Sequence, residues 1–112
     1  MKNVTFEGQT LRIDGISIRL DYNIAETRIV DDLSIVILKF DELAPKHRQF
    51  QNCIAYDKDG KQIWIAEHPT NQSADSYVNF MDGNDNRLWN FGCFVCSLDF
   101  KTGKLLDAQF TK

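Results

Sequence analysis

The chain has 112 residues, 43% of them hydrophobic and 26% charged, with a formal net charge of −3. That balance excludes a disordered chain, and the length supports one domain with a hydrophobic core of its own. The acidic surplus supplies no clustered Lys and Arg for phosphate contacts, which argues against direct nucleic-acid binding, and no apolar run reaches membrane-spanning length.

At the N-terminus, Glu7 and Gly8 fall where a secretory signal would need its apolar run. A chain that begins here and stays in the cytosol is therefore expected. Val4 to Phe6 and Leu11 to Ile13 read as short strands, and Asp14-Gly15 is a strong hairpin signal because both residue types tolerate positive φ. Ile16, Ile18 and Leu20 alternate with Ser17 and Arg19, the pattern of a strand with one wet face and one buried face.

The run from Leu33 to Phe40 is apolar on both parities, which places it centrally with both faces covered. Asp41 to Gln51 contains Pro45, which interrupts both strand and long helix, so a loop with at most a short helical turn is expected. The segment from Cys53 to Trp64 then has a counterpart from Cys96 onward. In each, a glycine stands seven residues after the cysteine inside Lys-x-Gly-Lys, at Lys58 to Lys61 and Lys101 to Lys104, with an offset of 43. Glycine there supplies the positive φ of a hairpin loop with a bulge, and a repeat of about this length is that of propeller blades. Between the hairpins lie the polar stretch His68 to Ser76, the strand-like Tyr77 to Phe80, a turn from Met81 to Asn86, and strand composition again at Leu88, Trp89 and Phe91. The expectation is an all-β domain of about eight to ten short antiparallel strands, enough for two small sheets or two blade-like units but too few for a closed propeller.

Cys93-x-x-Cys96 has the spacing of a metal or redox pair. In an extended strand the two sulfurs would lie roughly 10 Å apart on opposite faces, too far for one disulfide or one ion. A structural role follows for both, with Cys96 matched to Cys53 by the repeat. Zinc would need Cys53, His47 or His68 in addition, none with a paired spacing, so no metal or cofactor is expected. His47 and His68 lie in predicted loops outside any nucleophile or metalloprotease motif, and both read as solvated. Asp14, Asp31, Asp57, Asp59, Asp82 and Asp85 sit in turn sequence, where the carboxylate bonds its own backbone. Neither acidic turn is followed by the glutamate of a calcium loop.

What remains is a surface. The stretch from Ala66 to Asn90 carries Glu67, His68, Asp75, Tyr77, Asp82, Asp85 and Trp89 with one Arg and no Lys. Aromatic anchors among carboxylates suit a basic protein partner.

Tyr56 to Trp64 and Leu98 to Leu106 resemble blades of quinone-type propellers, in which a strand ending in Asp enters a Thr-Gly-Lys turn. As a whole, the short acidic all-β chain resembles the small immunity proteins of bacterial contact-dependent growth inhibition systems. That resemblance implies inhibition by binding: the chain would block a cognate basic toxin domain, a nuclease of the ribonuclease type, with its carboxylates where phosphates go and no chemistry of its own. A small-ligand-binding module would instead use an apolar pocket between sheets. An enzyme would have to assemble its site from unpaired histidines and turn carboxylates.

Overall fold

The computed structural model describes residues 3–73, 75–81 and 86–111. These form eleven strands and no helix: β1 (Val4–Glu7), β2 (Thr10–Ile13), β3 (Ile16–Arg19), β4 (Ile24–Val30), β5 (Leu33–Leu38), β6 (Cys53–Tyr56), β7 (Gln62–Ile65), β8 (Tyr77–Phe80), β9 (Arg87–Asn90), β10 (Phe94–Leu98) and β11 (Leu105–Phe110). Every pairing is antiparallel between chain neighbours. Three meander sheets result: β1 to β3, β4 to β7 and β8 to β11. The all-β expectation holds. The N-terminal strands make a sheet of their own, so there are three layers, one more than the two small sheets or two blade-like units expected.

The middle sheet is the centre of the molecule because β5 is apolar on both parities. Ile35 and Ile37 point into one core with Cys53, Ala55, Trp64, Leu88, Cys96 and Leu98, which joins the middle and C-terminal sheets. Val36 and Leu38 point the other way, into a second core with Leu11, Ile13, Leu20, Phe50 and Tyr56. Burial of these side chains, at roughly 25 cal/mol per Å² of apolar surface, is what holds three thin layers together. Residues 41–50 make no strand or helix, and they insert Ala44 and Phe50 into the second core.

Turn chemistry sets the registers. At the β2–β3 turn Asp14 and Gly15 have φ of 45° and 92°, which is the double positive-φ turn their sequence predicts. Asp31 and Asp32 do the same between β4 and β5 without a glycine, with φ of 45° and 64°. In the β6–β7 turn Asp57 Oδ1 accepts from the N–H of Asp59 and of Lys61, each at 2.9 Å. In the β10–β11 turn Asp99 Oδ1 accepts from the N–H of Lys101 at 2.9 Å.

The duplicated hairpins are real, and their register corrects the equivalence read from the sequence. Both carry a bulge, between Ala55 and Tyr56 in one and between Ser97 and Leu98 in the other. Tyr56 therefore matches Leu98, and the separation within these strands is 42, not 43. The second turn is one residue longer, closing from Asp99 to Lys104 where the first closes from Asp57 to Lys61. A one-residue slip reverses every side chain in a strand. Cys96 is thus the counterpart of Ile54, and Cys53 that of Val95.

This register gives the stack a direction. Tyr56 faces the N-terminal sheet, and its counterpart Leu98 faces the middle sheet, so each hairpin turns the same face toward the preceding layer. The turn glycines behave alike. A Cβ on Gly60 would lie 2.7 Å from Ile18 Cδ1 of the N-terminal sheet, and one on Gly103 would lie 2.6 Å from the Trp64 ring of the middle sheet. The layers follow one another as blades do, with the C-terminal sheet the third of the three.

Candidate functional site

The residues singled out by sequence separate into an interior group and a surface group. His68 and Asp75 have side chains only 2% and 1% exposed, with His68 Nδ1 3.1 Å from Asp75 Oδ1. Asp75 Oδ2 accepts from the Thr70 N–H at 2.8 Å and the Thr70 hydroxyl at 2.5 Å, and Asp75 Oδ1 also accepts from the Asn90 amide. The polar stretch after β7 thus folds around one buried carboxylate, which satisfies the donors of its own loop and of β9. His68 Nε2 is buried without a partner. The solvated role expected of His68, and the partner-facing role expected of His68 and Asp75, are both corrected by this burial.

Tyr77 is also interior. Its ring stacks on His68 with centroids 4.8 Å apart, and its hydroxyl donates to the Glu67 carbonyl at 2.6 Å. Burial pushes the Tyr77 hydroxyl well above its ordinary range, reinforced by the thiols of Cys96 and Cys53 beside it. Burial likewise raises the Cys53 thiol, and it raises Cys96 to about 11 despite an opposing hydrogen bond from Tyr77. Thiols so held are neutral at physiological pH and serve as small apolar side chains. Cys93 is not in the strand at all: it occupies the turn before β10 with φ of 68° and is exposed.

Glu67 and Trp89 remain on the surface. Glu67 Oε1 accepts from the Leu105 N–H at 2.9 Å, at the edge strand β11. Trp89 projects from β9 on the face opposite Leu88, away from the middle sheet. Asp82 and Asp85 lie outside the described residues. His47 is exposed in the loop between β5 and β6.

Around Trp89 the structure assembles an apolar patch that the sequence reading did not single out. Val78, Trp89, Asn90, Phe91 and Cys93 line a shallow depression of about 290 Å³. Trp89 is 37% exposed and Phe91 57%, and the Phe91 ring lies 6.0 Å from the exposed ring of Phe40. The blade register explains the patch. Val95 pairs with Trp89 as Cys53 pairs with Ile37, so Trp89 and Val95 occupy in the last sheet the places of Ile37 and Cys53 in the middle sheet. Ile37 and Cys53 are completely covered by the next layer, whereas among the described residues no layer lies above Trp89. A sequence signal existed in the alternation of Val78 with Tyr77 and of Trp89 with Leu88, but it becomes readable only once the 42-residue register is known.

The outer faces at the two ends of the stack differ. On the N-terminal sheet the paired rows Thr5, Arg12, Ser17 and Glu7, Thr10, Arg19 point outward, a polar end of the kind that closes a repeat array. On the C-terminal sheet Trp89 and Val95 are flanked by the row of Arg87, Ser97 and Asp107. An exposed indole in an apolar setting with a charged rim has the anatomy of a protein-binding hot spot. Among the described residues no group of three or more His, Cys, Asp or Glu side chains could hold a metal ion, and no helix is long and apolar enough to cross a membrane.

A family model described as a domain of unknown function, DUF7957, matches residues 1–110. No curated protein and no solved structure matches the chain.

Proposed function

The chain belongs to the DUF7957 family, and we propose that it is an immunity protein, one that binds and blocks a cognate basic toxin domain, a nuclease of the ribonuclease type, in the cytosol. The observation that carries this reading is the uncovered outer face of the C-terminal sheet, where Trp89 stands in the place that a further layer covers in the middle sheet. Apolar area around a large aromatic supplies affinity. The net charge of −3 speeds encounter with a positively charged nuclease surface. On this reading Asp107, on the same face, and Glu67, at the β11 edge, meet its cations.

The mode of action is stoichiometric occlusion, with no chemistry required of the inhibitor. His68, Asp75 and Tyr77 support it from inside, by holding the loop between β7 and β8 against β9. Co-expression with a candidate cognate nuclease domain provides the test. Cells that survive only when this chain is present support the proposal, and killing that proceeds equally with and without it defeats the proposal.

A further inference from the structure

The sheet edges of this fold are unequally protected. An edge strand presents unpaired N–H and C=O groups, and native folds blunt it by shortness, bulges, charges or cover. Strands β1, β3 and β7 are four residues long. Strand β4 has a bulge between Ile24 and Glu26 and carries the charges Glu26 and Arg28. The edge of β8 is covered by side chains. Asn52 takes both backbone groups of Tyr77, Glu26 accepts from the Phe80 N–H at 3.2 Å, and Arg28 donates to the Met81 carbonyl at 3.1 Å.

Strand β11 differs from all of these. It is six residues long, lies at the edge of the C-terminal sheet, and is covered at its start, where Glu67 holds the Leu105 N–H. The Thr111 N–H donates to the Cys93 carbonyl at 2.7 Å, so strand alternation turns the backbone groups of Leu106, Ala108 and Phe110 outward. Among the described residues no strand pairs with that row. Ala108 packs against the core between the middle and C-terminal sheets, whereas Leu106 and Phe110, on the same side of the strand, are 63% and 61% exposed. Neither lysine nor proline interrupts the strand.

We propose that β11 pairs antiparallel with β11 of a second copy of this chain, about a two-fold axis at Ala108, joining two C-terminal sheets into one. Self-complementarity favours a second copy over a foreign strand, because a two-fold interface must match itself. About Ala108, Leu106 lies opposite Phe110 and Asp107 opposite Gln109. Exposed apolar side chains then cover one another, and no like charges stand directly opposite. An axis at Asp107 would oppose two carboxylates, and one at Gln109 would leave Leu106 beyond the ladder. Glu67 sets the limit, since it occupies the edge at Leu105, one residue past the last pair. The Trp89 indole is on the other side of the sheet, so this interface stands or falls independently of the immunity reading.

Sedimentation equilibrium of the full chain over about 5–500 μM should find a monomer–dimer equilibrium, and Leu106→Lys should weaken it at least about tenfold. Ile63→Lys replaces a 44% exposed residue of edge strand β7, controls for the added charge, and should dimerise as the parent does. Circular dichroism of each variant separates lost association from lost fold. Cross-linking then reads the register, in a Cys93→Ser background that removes the exposed thiol. Oxidation of an equimolar mixture of Asp107→Cys and Gln109→Cys should give mainly the mixed disulfide, because directly opposed, non-hydrogen-bonded residues have Cα atoms about 4.5 Å apart. A parent that stays monomeric at about 500 μM, a folded Leu106→Lys protein that dimerises as the parent does, equal losses in both lysine variants, or homodisulfides as abundant as the mixed one would overturn the proposal.

Discussion

The side chain of Asn52 pairs with the backbone of Tyr77 in both directions. Its amide nitrogen donates to the Tyr77 carbonyl at 2.7 Å while its oxygen accepts from the Tyr77 N–H at 2.9 Å. The same nitrogen donates to the Leu38 carbonyl at 3.0 Å. One fully buried amide thereby stands in for a strand along the open edge of β8, where the C-terminal sheet meets the middle one. Asn52→Leu keeps the volume but orphans the Tyr77 N–H and C=O together. The expected loss is about 2–4 kcal/mol, read as a lower urea midpoint with an unchanged slope. A midpoint equal to that of the parent would contradict this role.

The turn glycines offer a graded comparison. Gly103 combines φ of 76° with the Trp64 ring 2.6 Å from where a Cβ would go, whereas Gly15 has φ of 92° and nothing within 4 Å. Gly15→Ala costs only the backbone strain, about 1 kcal/mol. Gly103→Ala adds displacement of Trp64 and should cost about 2–3 kcal/mol. Trp64 fluorescence should shift in Gly103→Ala and stay unchanged in Gly15→Ala, because Trp64 Nε1 donates to the Phe100 carbonyl in that same turn.

Alkaline pH should unfold the protein early. Cys96 rises from 9.0 to about 11 on folding, and Cys53, Tyr56 and Tyr77 rise as well, all led by burial. Groups raised in the folded state bind more protons there than in the unfolded state. Their stabilisation is complete below about pH 9 and declines as pH climbs from 9 toward 11. Urea midpoints at pH 8 and pH 10.5 should differ by at least about 1 kcal/mol of stability, and Cys96→Ala should reduce the slope. A flat profile over that window would mean that these groups are not buried as described.

Thiol chemistry separates the three cysteines. Cys93, exposed in its turn, should react with a maleimide in the native protein, while buried Cys53 and Cys96 should react only after denaturation. Mass spectrometry should therefore find one label in buffer and three in denaturant. Because Cys93 lines the depression beside Trp89, a bound partner should also slow its labelling.

Asp75 is the most demanding position in the loop between β7 and β8. Asp75→Ala would leave the Thr70 N–H, the Asn90 amide and His68 without their acceptor, at an expected cost of about 3 kcal/mol or more. Thermal unfolding should reveal it, and a change below about 0.5 kcal/mol would place the carboxylate outside the interior network.

Much of the architecture was legible because its signals are local. Alternation marked β3, apolar parity on both sides marked β5, Asp14-Gly15 marked its hairpin, and the glycines of Lys-x-Gly-Lys marked the duplicated turns. The equivalence of Cys53 with Cys96 failed for a local reason too. The extra residue lies inside the second turn, so counting from either glycine gives 43 while the strand register gives 42. The site was less legible because its defining facts are long-range. His68 reads as solvated until Asp75 and Asn90 close around it, and Tyr77 and Trp89 look alike in sequence although they leave the same sheet on opposite faces.

The account rests on the outer face of the C-terminal sheet, and calorimetric titration of the cognate nuclease domain with Trp89→Ala is its most direct test. Trp89 is part-exposed and outside both cores, so the variant should unfold within about 0.5 kcal/mol of the parent. It should lose at least about 2 kcal/mol of binding free energy, roughly thirtyfold in affinity. Parental affinity in a folded Trp89→Ala protein would contradict the account.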